Sequence, residues 1–465
     1  MKKNNKIIFL AAYIFTIFFY ICFFCSCGKA ENRKETAEIN NETPGSSRVP
    51  AIFNVKTAPI EISIKCDGEI VNSPRDNSGI RTIVSASENE IFEFSSSGYV
   101  SQYIKAGDIP SLLRKGALQI KLEPETAKLK LLQEINTGSK PKSVVFSDDG
   151  KRVFVPLLDE TGVDVFSFSV ASKELSANKE SSANKDSSEG KDKILKFEKR
   201  LKVPGKNLKG FVEGLIDKTR NEFWVSNMND NCVHIFDSKT LAYKTSVPTE
   251  GKMSKVIAQS HDGKIVIVSN WHSQDISFIS AEYKKLLFKV SLGSTPRGMV
   301  FSPDNSYIYA TIFDEPVIAV IDIYKRKIVK QFNLYDGNGA LRHVLYHNKR
   351  LYVSDMARGR LNIIDEESGK LIKSAYVGSN LNTIVFSPDK KLIFVSSRGK
   401  NNPEDYIFEG PEFGSVSMLS ADTLSLLGRV WGRNQPTGLD VSPDGRHMIF
   451  SDFLDANLEL YEIEK

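Results

Sequence analysis

The sequence is poor in the residues that carry metal, redox and covalent chemistry. Its 465 residues include only five cysteines and six histidines, and after Cys27 only Cys66 and Cys232 remain. Two isolated cysteines make neither a disulfide framework nor a good metal site. No Cys-x-x-Cys-His haem motif and no Gly-x-Ser-x-Gly nucleophile motif occurs in the sequence. We therefore expect no cofactor and no metal, and the sequence identifies no catalytic residue.

The chain also lacks a strong net charge. Its 62 Lys and Arg residues nearly balance 57 Asp and Glu residues, which leaves a formal charge of +5. Nucleic-acid-binding proteins concentrate basic residues on one face or along one helix. Here the positive charges are scattered along the chain, so we expect no nucleic-acid partner.

Only one long apolar run is present, and it lies at the start of the chain. Three lysines precede the run from Ile7 to Phe24, and Cys25-Ser26-Cys27-Gly28 follows it. A basic start, an apolar stretch and a small residue before a Cys are typical of an export signal. Residues 1–27 resemble a bacterial lipoprotein signal peptide, which implies acylation of Cys27.

An uncleaved membrane helix remains the alternative for this run, because its length is at the lower limit for spanning a bilayer. Both interpretations keep the lysine cluster inside and place the rest of the chain outside the cytoplasm. We therefore predict a protein of the bacterial cell envelope that is lipid-anchored and either periplasmic or surface-exposed. Its membrane partner would be reached through the N-terminal lipid.

Two segments separate this signal from the main body. Residues 28–49 are polar, charged and without periodicity, so we predict a flexible linker there. Residues 50–125 contain short alternating strands with turn signals between them, which predict a small β-sandwich. The run Ile64-Lys65-Cys66-Asp67-Gly68-Glu69 and the later Ser97-Gly98-Tyr99 resemble the PEGA-type envelope domain. That resemblance implies attachment to the cell wall or surface rather than chemistry.

From residue 126 onward the chain repeats itself. The clearest copy starts at Gly293 and reads GSTPRGMVFSPDNSYIYATIFDEPVIAVIDIYKRKIVKQFNL, with four strands and a Ser-Pro-Asp turn. A spacing of about 42 residues is typical of a four-stranded propeller blade. We therefore predict an all-β chain in which a seven-bladed β-propeller spans residues 126–465. The seven copies are recognised by first strands that begin at Ser143, Gly214, Val256, Gly298, His343, Thr383 and Gly438.

The ends of the repeat array predict a closed ring. The last copy stops after its third strand at Leu458–Ile463, and a spare strand at Lys130–Ile135 precedes the first copy. Pairing of these two strands would remove the open sheet edges. The motifs Pro296-Arg297-Gly298-Met299 and Ile267-Val268-Ser269-Asn270 are similar to those of the YVTN family of β-propellers. This resemblance implies the fold but not the function.

Two copies carry insertions. Residues 172–193 are rich in Ser, Lys and Asn, and we predict a disordered loop between the third and fourth strands of blade one. Residues 398–414 fall between the second and third strands of blade six and bring aromatic residues to the predicted channel mouth. This second loop either packs on a ligand or folds back onto its own blade.

The loops that open on one face of the ring hold the candidate ligand-binding residues. Lys142, Arg297 and Arg342 occupy similar positions in three copies and are predicted to surround one mouth of the channel. A ring of cations suits a carboxylate, a phosphate or an acidic glycan. The alternative is that these cations pair with acidic residues of the same face, Asp314, Asp355 and Asp452. The full candidate set is Lys142, Asn270, His272, Arg297, Arg342, His343, Asp355, Arg398 and Asp452.

We therefore predict a membrane-anchored binding or scaffold protein that presents its propeller to a protein or an acidic glycan. One alternative is a lactonase-like hydrolase that uses the channel mouth, since lactonases share a seven-bladed fold. The other is a lipoprotein subunit of an envelope assembly complex.

Overall fold

The computed structural model describes residues 51–97, 99–123, 128–170 and 194–464. The predicted signal peptide with Cys27, the linker at 28–49 and the loop at 172–193 lie outside the described residues. Residues from Val49 to Lys465 form one compact unit. Among the described residues, no helix has the length and apolar character needed to cross a membrane.

Two small sheets at the start of this unit share one apolar core. Their strand orders are β4-β1-β8-β7 and β3-β2-β5-β6, and β1 pairs with β8 in parallel. Phe53, Val55, Phe92, Phe94 and Ile120 are among the buried side chains between them. The elements are β1 Ala51–Ala58, β2 Ser63–Cys66, β3 Glu69–Ile70, β4 Arg81–Ser85, β5 Ile91–Ser95, β6 Gln102–Lys105, a 3₁₀ turn Ala106–Asp108, α1 Ile109–Leu112, β7 Leu113–Arg114 and β8 Ala117–Lys121. We call this part the N-terminal β unit.

Seven four-stranded antiparallel sheets follow, which confirms the predicted propeller blades. In each blade the first strand is innermost and the fourth is outermost. Blades one to three are β10 Val145–Phe146, β11 Arg152–Pro156, β12 Val163–Phe168, β13 Leu195–Leu201; β14 Phe211–Asp217, β15 Glu222–Asn227, β16 Cys232–Asp237, β17 Tyr243–Pro248; and β18 Ser254–Gln259, β19 Ile265–Asn270, β20 Asp275–Ser280, β21 Lys285–Ser291.

Blades four to seven continue the same order. They are β22 Pro296–Phe301, β23 Tyr307–Ile312, β24 Val317–Asp322, β25 Lys327–Asn333; β26 Leu341–His347, β27 Arg350–Asp355, β28 Arg360–Asp365, β29 Leu371–Tyr376; β30 Leu381–Phe386, β31 Leu392–Ser397, β32 Ser415–Ser420, β33 Leu426–Trp431; and β34 Pro436–Val441, β35 His447–Asp452, β36 Asn457–Ile463 with β9 Leu129–Asn136.

The ring is closed by the strand that precedes the first blade. Strand β9 pairs antiparallel with β36, and Leu458 lies opposite Ile135, as predicted. An apolar cluster that contains Phe146 and Val153 of blade one and Leu458 of blade seven joins the two ends of the array. Each neighbouring pair of blades shares a cluster of this kind, so the core is distributed around the ring.

The recurring Ser-x-Asp turn explains how each first strand passes into the second. In the last blade the Ser442 hydroxyl donates to Asp444 at 2.5 Å, and the same carboxylate accepts the backbone N–H of Arg446 at 3.0 Å. Asp and Ser side chains stabilise turns in this way because they bond to backbone groups two residues on. The same pair recurs at Ser147, Ser260, Ser302 and Ser387.

Candidate functional site

A bulge in the innermost strand turns one side chain of each blade into the central channel. In blade four the pairing with the second strand shifts between Pro296 and Met299, so Arg297 and Gly298 leave the ladder. The freed N–H of Gly298 donates to the Thr311 hydroxyl at 2.8 Å. Bulges re-aim side chains in this way, and equivalent shifts occur in the other blades from two to seven.

The bulge position is cationic in four blades. Lys142, Lys255, Arg297 and Arg342 occupy it in blades one, three, four and five, and Arg398 joins them from the end of β31. We call these five residues the channel cations. Lys142, Arg297 and Arg342 line a cavity that leaves about 20 Å³ for the centre of a water molecule. That is room for one or two waters.

Burial weakens the charged form of every channel cation, and repulsion by other channel cations adds to it for all but Arg398. Burial lowers the pKa of Lys255 to about 6, and Arg297 and Arg342 lower it further. The pKa values of Arg297 and Arg398 fall to about 10, again mainly through burial. Those of Lys142 and Arg342 are lowered well below their usual values by burial and by the other channel cations. Shifts of this direction show that burial disfavours the charged forms and that nearby acidic groups do not offset it.

One carboxylate faces this cavity. Glu213 lines it, and burial raises the pKa of Glu213 to about 7 although Arg297, Lys142 and Arg342 favour its ionised form. The pKa of Asp440 is raised to about 6 by burial, but its oxygens accept the backbone N–H groups of Phe146 and Val441. Asp440 therefore has a structural role, and Glu213 is the acidic group that faces the channel cations.

Several guanidinium N–H groups in the channel have no acceptor. Arg297 is only 6% exposed, and its Nε and Nη1 atoms lack a hydrogen-bond partner. The Nε atom of Arg398 is also buried and unpartnered. Arg342 Nη1 contacts only the weak acceptor Met356 Sδ at 3.5 Å. A buried donor without a partner is costly, and these donors point to an oxyanion as the missing acceptor.

Apolar residues surround the entrance above the channel cations. Four of them follow a second strand and make the same backbone hydrogen bond to the loop before the first strand, as Trp271 does to Met253, and the fifth lies in the blade-six loop. Lys255 Nζ lies 3.4 Å from the Trp271 ring centroid, and the Arg297 guanidinium lies 4.7 Å from it. We call this group the collar, and its members are Trp271, Phe313, Met356, Phe453 and, from the blade-six loop, Tyr406.

Three other contacts join collar rings to channel cations, one of them between Arg398 and the Phe453 ring at 5.9 Å. Lys142 Nζ lies 4.8 Å from the Phe453 ring, and Arg398 lies 5.5 Å from the Tyr406 ring. Cation–π contacts of this kind keep a cation in place without neutralising it. The site is therefore a small cationic cavity beneath a partly exposed apolar rim.

One part of the loop at 398–414 is packed against the N-terminal β unit, and another part is exposed to solvent. Phe413 is buried, with Lys56 Nζ of the N-terminal β unit 4.5 Å from its ring. Lys56 also donates to the backbone oxygen of Gly410 at 3.0 Å. Tyr406, Ile407 and Phe408 are each about half exposed. The loop thus rests on the N-terminal β unit and leaves an apolar tip beside the collar.

Of the predicted residues, the structure brings Lys142, Arg297, Arg342, His343 and Arg398 together. His343 lines the cavity, and its ring accepts the Ile384 N–H at 3.1 Å through Nδ1. Burial, with Arg297 and Arg342, lowers the pKa of His343 to about 4, which keeps its ring neutral.

The other four predicted residues lie away from the cavity. Asn270 is buried inside blade three and donates to Asp275 and Ser277, while His272 lies exposed in a turn. Asp355 accepts from the Arg358 N–H and from Tyr335, and Asp452 accepts the Arg433 N–H at 2.8 Å. Among the described residues, none of the channel cations pairs with Asp314, Asp355 or Asp452, which was the alternative interpretation.

Two residues of the site were missed from the sequence. Lys255 directly precedes Val256, just as Arg297 precedes Gly298, so the repeat alignment itself contained the signal. Glu213 was hidden by an alignment error of one residue. The repeat alignment matches Gly214 of blade two with Gly298 of blade four. The pairing of Phe211 with Asn227 shows instead that Glu213 is equivalent to Gly298.

Comparison of the sequence with those of known proteins identifies relatives of this chain. The chain is 35% identical over 350 residues to antigen Lp49 of Leptospira interrogans, a match that covers 74% of this chain and 71% of that protein. It is 24% identical over 199 residues to the uncharacterized protein YncE of Salmonella typhi and to that of Salmonella typhimurium, covering 41% of this chain and 55% of each relative. A scan against protein-family models gave no match.

Proposed function

The chain belongs to the family of antigen Lp49, and from this premise we propose that it is an extracytoplasmic binding protein whose channel mouth holds the acidic group of a protein or glycan partner. The observation that carries the proposal is the set of channel cations with unpartnered guanidinium N–H groups. Arginine presents its donors in a fork that matches a carboxylate or phosphate. A bound acidic group would supply both the missing acceptors and the missing negative charge.

The shape of the site limits which part of a partner can enter. With about 20 Å³ available to the centre of a water molecule, the cavity takes one acidic group and little else. The rest of the partner would remain at the collar, where Trp271 and Phe313 stack with ring centroids 5.1 Å apart. Sugar rings and apolar side chains pack well on such aromatic faces, because these faces bury a large area with few rotatable bonds.

The proposal includes the anchor predicted from the sequence. Acylation of Cys27 and a linker at 28–49 would hold the propeller at a membrane but away from its surface. That Lp49 is named an antigen is compatible with an exported protein that antibodies can reach. Metabolic labelling with a fatty acid analogue tests the anchor, since labelled protein is expected from the wild type and none from a Cys27→Ser variant.

Binding can be measured on residues 49–465, which form one compact unit. The assay is isothermal titration calorimetry with sulfate, glucuronate and citrate at low ionic strength. Arg342→Gln is expected to weaken binding at least about tenfold, because it removes a charge-assisted donor. Arg350→Gln is the matched control, since Arg350 lies in the same blade but pairs with Asp422 at 3.0 Å at the opposite end. The proposal fails if none of the three acids binds, or if both variants bind equally well.

One observation favours the hydrolase alternative. The pKa of Glu213, raised to about 7 by burial, lies in the range that suits a general base. A lactone panel separates the two functions. Turnover by the wild-type protein that disappears in Glu213→Gln would replace the binding proposal with a catalytic one.

A further inference from the structure

A second cavity lies between the N-terminal β unit and the outer strands of blades six and seven. Its volume is about 660 Å³, within the range of about 300–1,000 Å³ that is typical of small-molecule sites. One wall comes from β6, α1, β7 and β8, and the other from β9, β33 and β36. We call it the cleft, and none of the channel cations lines it.

Five charged side chains of the cleft pair with one another, and three more that line it, Glu123, Lys130 and Glu464, are exposed. Lys121 Nζ lies 2.8 Å from Glu459 Oε1, and the Tyr461 hydroxyl donates to Glu459 Oε2 at 2.7 Å. Glu134 pairs with Arg433 and, at 3.5 Å, with Arg114. Burial works against the charged form of Lys121, but Glu459, Asp452 and Glu134 together outweigh burial and raise the pKa of Lys121. An ionic ligand would have to break these pairs, so the cleft disfavours one.

The rest of the lining combines the polar residues Gln102, Gln119, Glu123, Lys130 and Glu464 with an apolar surface that is partly exposed. Leu112 and Leu131 are 46% and 43% exposed and lie on opposite walls. Leu118 and Val430 extend the apolar surface towards the floor. Trp431 also lines the cleft, and its buried Nε1–H has no acceptor among the described residues. A tryptophan N–H usually finds a partner when it is buried.

From the two walls, the self-paired charges and the unused donor, we propose that the cleft is a second binding site, for an uncharged and largely apolar small molecule that accepts a hydrogen bond from Trp431. Its apolar body packs between Leu112 and Leu131. This site is independent of the acidic-group site in the channel. It places a ligand where the N-terminal β unit meets the propeller, so an occupied cleft strengthens that contact.

The test uses the neutral fluorescent probe N-phenyl-1-naphthylamine with residues 49–465. These residues exclude the predicted lipid anchor, so no detergent is needed and no micelle competes for the probe. The wild-type protein is expected to bind it saturably with one probe per chain. Leu131→Asp should weaken binding at least about tenfold, because it places a charge against the apolar body. Leu287→Asp is the matched control, since Leu287 is also about half exposed on a fourth strand, in blade three.

Further variants separate this proposal from that for the channel. Arg342→Gln should leave probe binding unchanged, and Trp431→Phe should weaken it while thermal unfolding remains cooperative. If Leu131→Asp does not fold, Leu112→Asp on the other wall serves the same purpose. The proposal is overturned if the wild type shows no saturable binding, or if Leu131→Asp and Leu287→Asp behave alike.

Discussion

Replacing a buried arginine of the channel by methionine should stabilise the unliganded protein. Arg297 is 6% exposed, and burial lowers its pKa from 12.5 to about 10. A shift of that size corresponds to roughly 3 kcal/mol of cost for keeping the guanidinium charged in the folded state. Because the folded-state pKa stays above neutrality, Arg297 is charged at pH 7 and the cost is present there. Arg297→Met removes the charge and keeps most of the side-chain volume.

The change also removes the stacking of Arg297 on Trp271 at 4.7 Å, which is worth about 1 kcal/mol. The net expectation is a free energy of unfolding that is higher by about 2 kcal/mol, in line with other replacements of buried charges by apolar residues. Urea unfolding of residues 49–465 at neutral pH and low salt measures it. Sulfate should then stabilise the wild type more than the variant, because only the wild type keeps the full site.

A control with the opposite sign is available at Arg220. Its guanidinium donates to Asp217 and to the Gly263 backbone oxygen, both at 2.8 Å, and Asp217 is fully buried. Arg220→Met should cost about 3 kcal/mol because it leaves that carboxylate unpaired. If Arg297→Met destabilises the protein as much as Arg220→Met does, the channel cations are compensated and the reasoning is refuted.

Three further predictions follow from other contacts. The pKa of Glu213 is raised to about 7, so it ionises above neutrality and then competes with a bound anion, while Lys255, with a pKa of about 6, loses its charge over the lower part of the same range. Calorimetry should therefore show the sulfate affinity of the wild type falling more steeply between about pH 6 and about pH 8 than that of Glu213→Gln. Lys121→Met leaves the buried Glu459 without its cation and should lower the free energy of unfolding by about 3 kcal/mol in urea. Gly298→Ala places a Cβ 2.7 Å from the backbone of the next blade and should cost more than about 2 kcal/mol, whereas Gly428→Ala meets only a flexible side chain at 3.3 Å and should change the melting temperature little.

The fold could be predicted because its signals are local and repeated. The Ser-x-Asp turn at Ser442 specifies a strand connection through contacts two residues apart. Seven repeats fix the number of sheets, and the spare strand at Lys130–Ile135 indicates how they close. Each of these inferences needed only the neighbouring residues and the period of the pattern.

The site was only partly predictable, since a side chain's direction depends on backbone irregularities that the sequence does not mark. Arg297 and Arg342 both line the cavity because they share one bulge position. The repeat pattern also predicts Asn270 at the channel-mouth face. Its side chain instead turns into its own blade, where it donates to Asp275 and Ser277. Glu213 is missed when Gly214 is aligned with Gly298, because the strand pairing shows that Glu213 is the residue equivalent to Gly298.

The cleft gave no signal in the sequence at all. Its walls come from segments such as those of Leu112 and Trp431, which lie far apart along the chain. Their contact depends on how the N-terminal β unit docks on the propeller. The salt bridges that fix this docking, such as Lys115 to Asp455 at 2.9 Å, join residues without any local relation.

The pairing of β9 with β36 determines the order in which the molecule can be completed. Blades one to six are built from consecutive segments, and each can assemble as soon as its own residues are available. Blade seven must wait, because Leu129 finds its partner only when Ile463 has been made. Loop closure over such a distance is slow. Until β36 pairs with it, β9 has an unpaired edge that can pair with other chains. Ribosomes that stall before Asn457 would therefore release an unfinished circle, and shielding of β9 by a chaperone matters most during that interval.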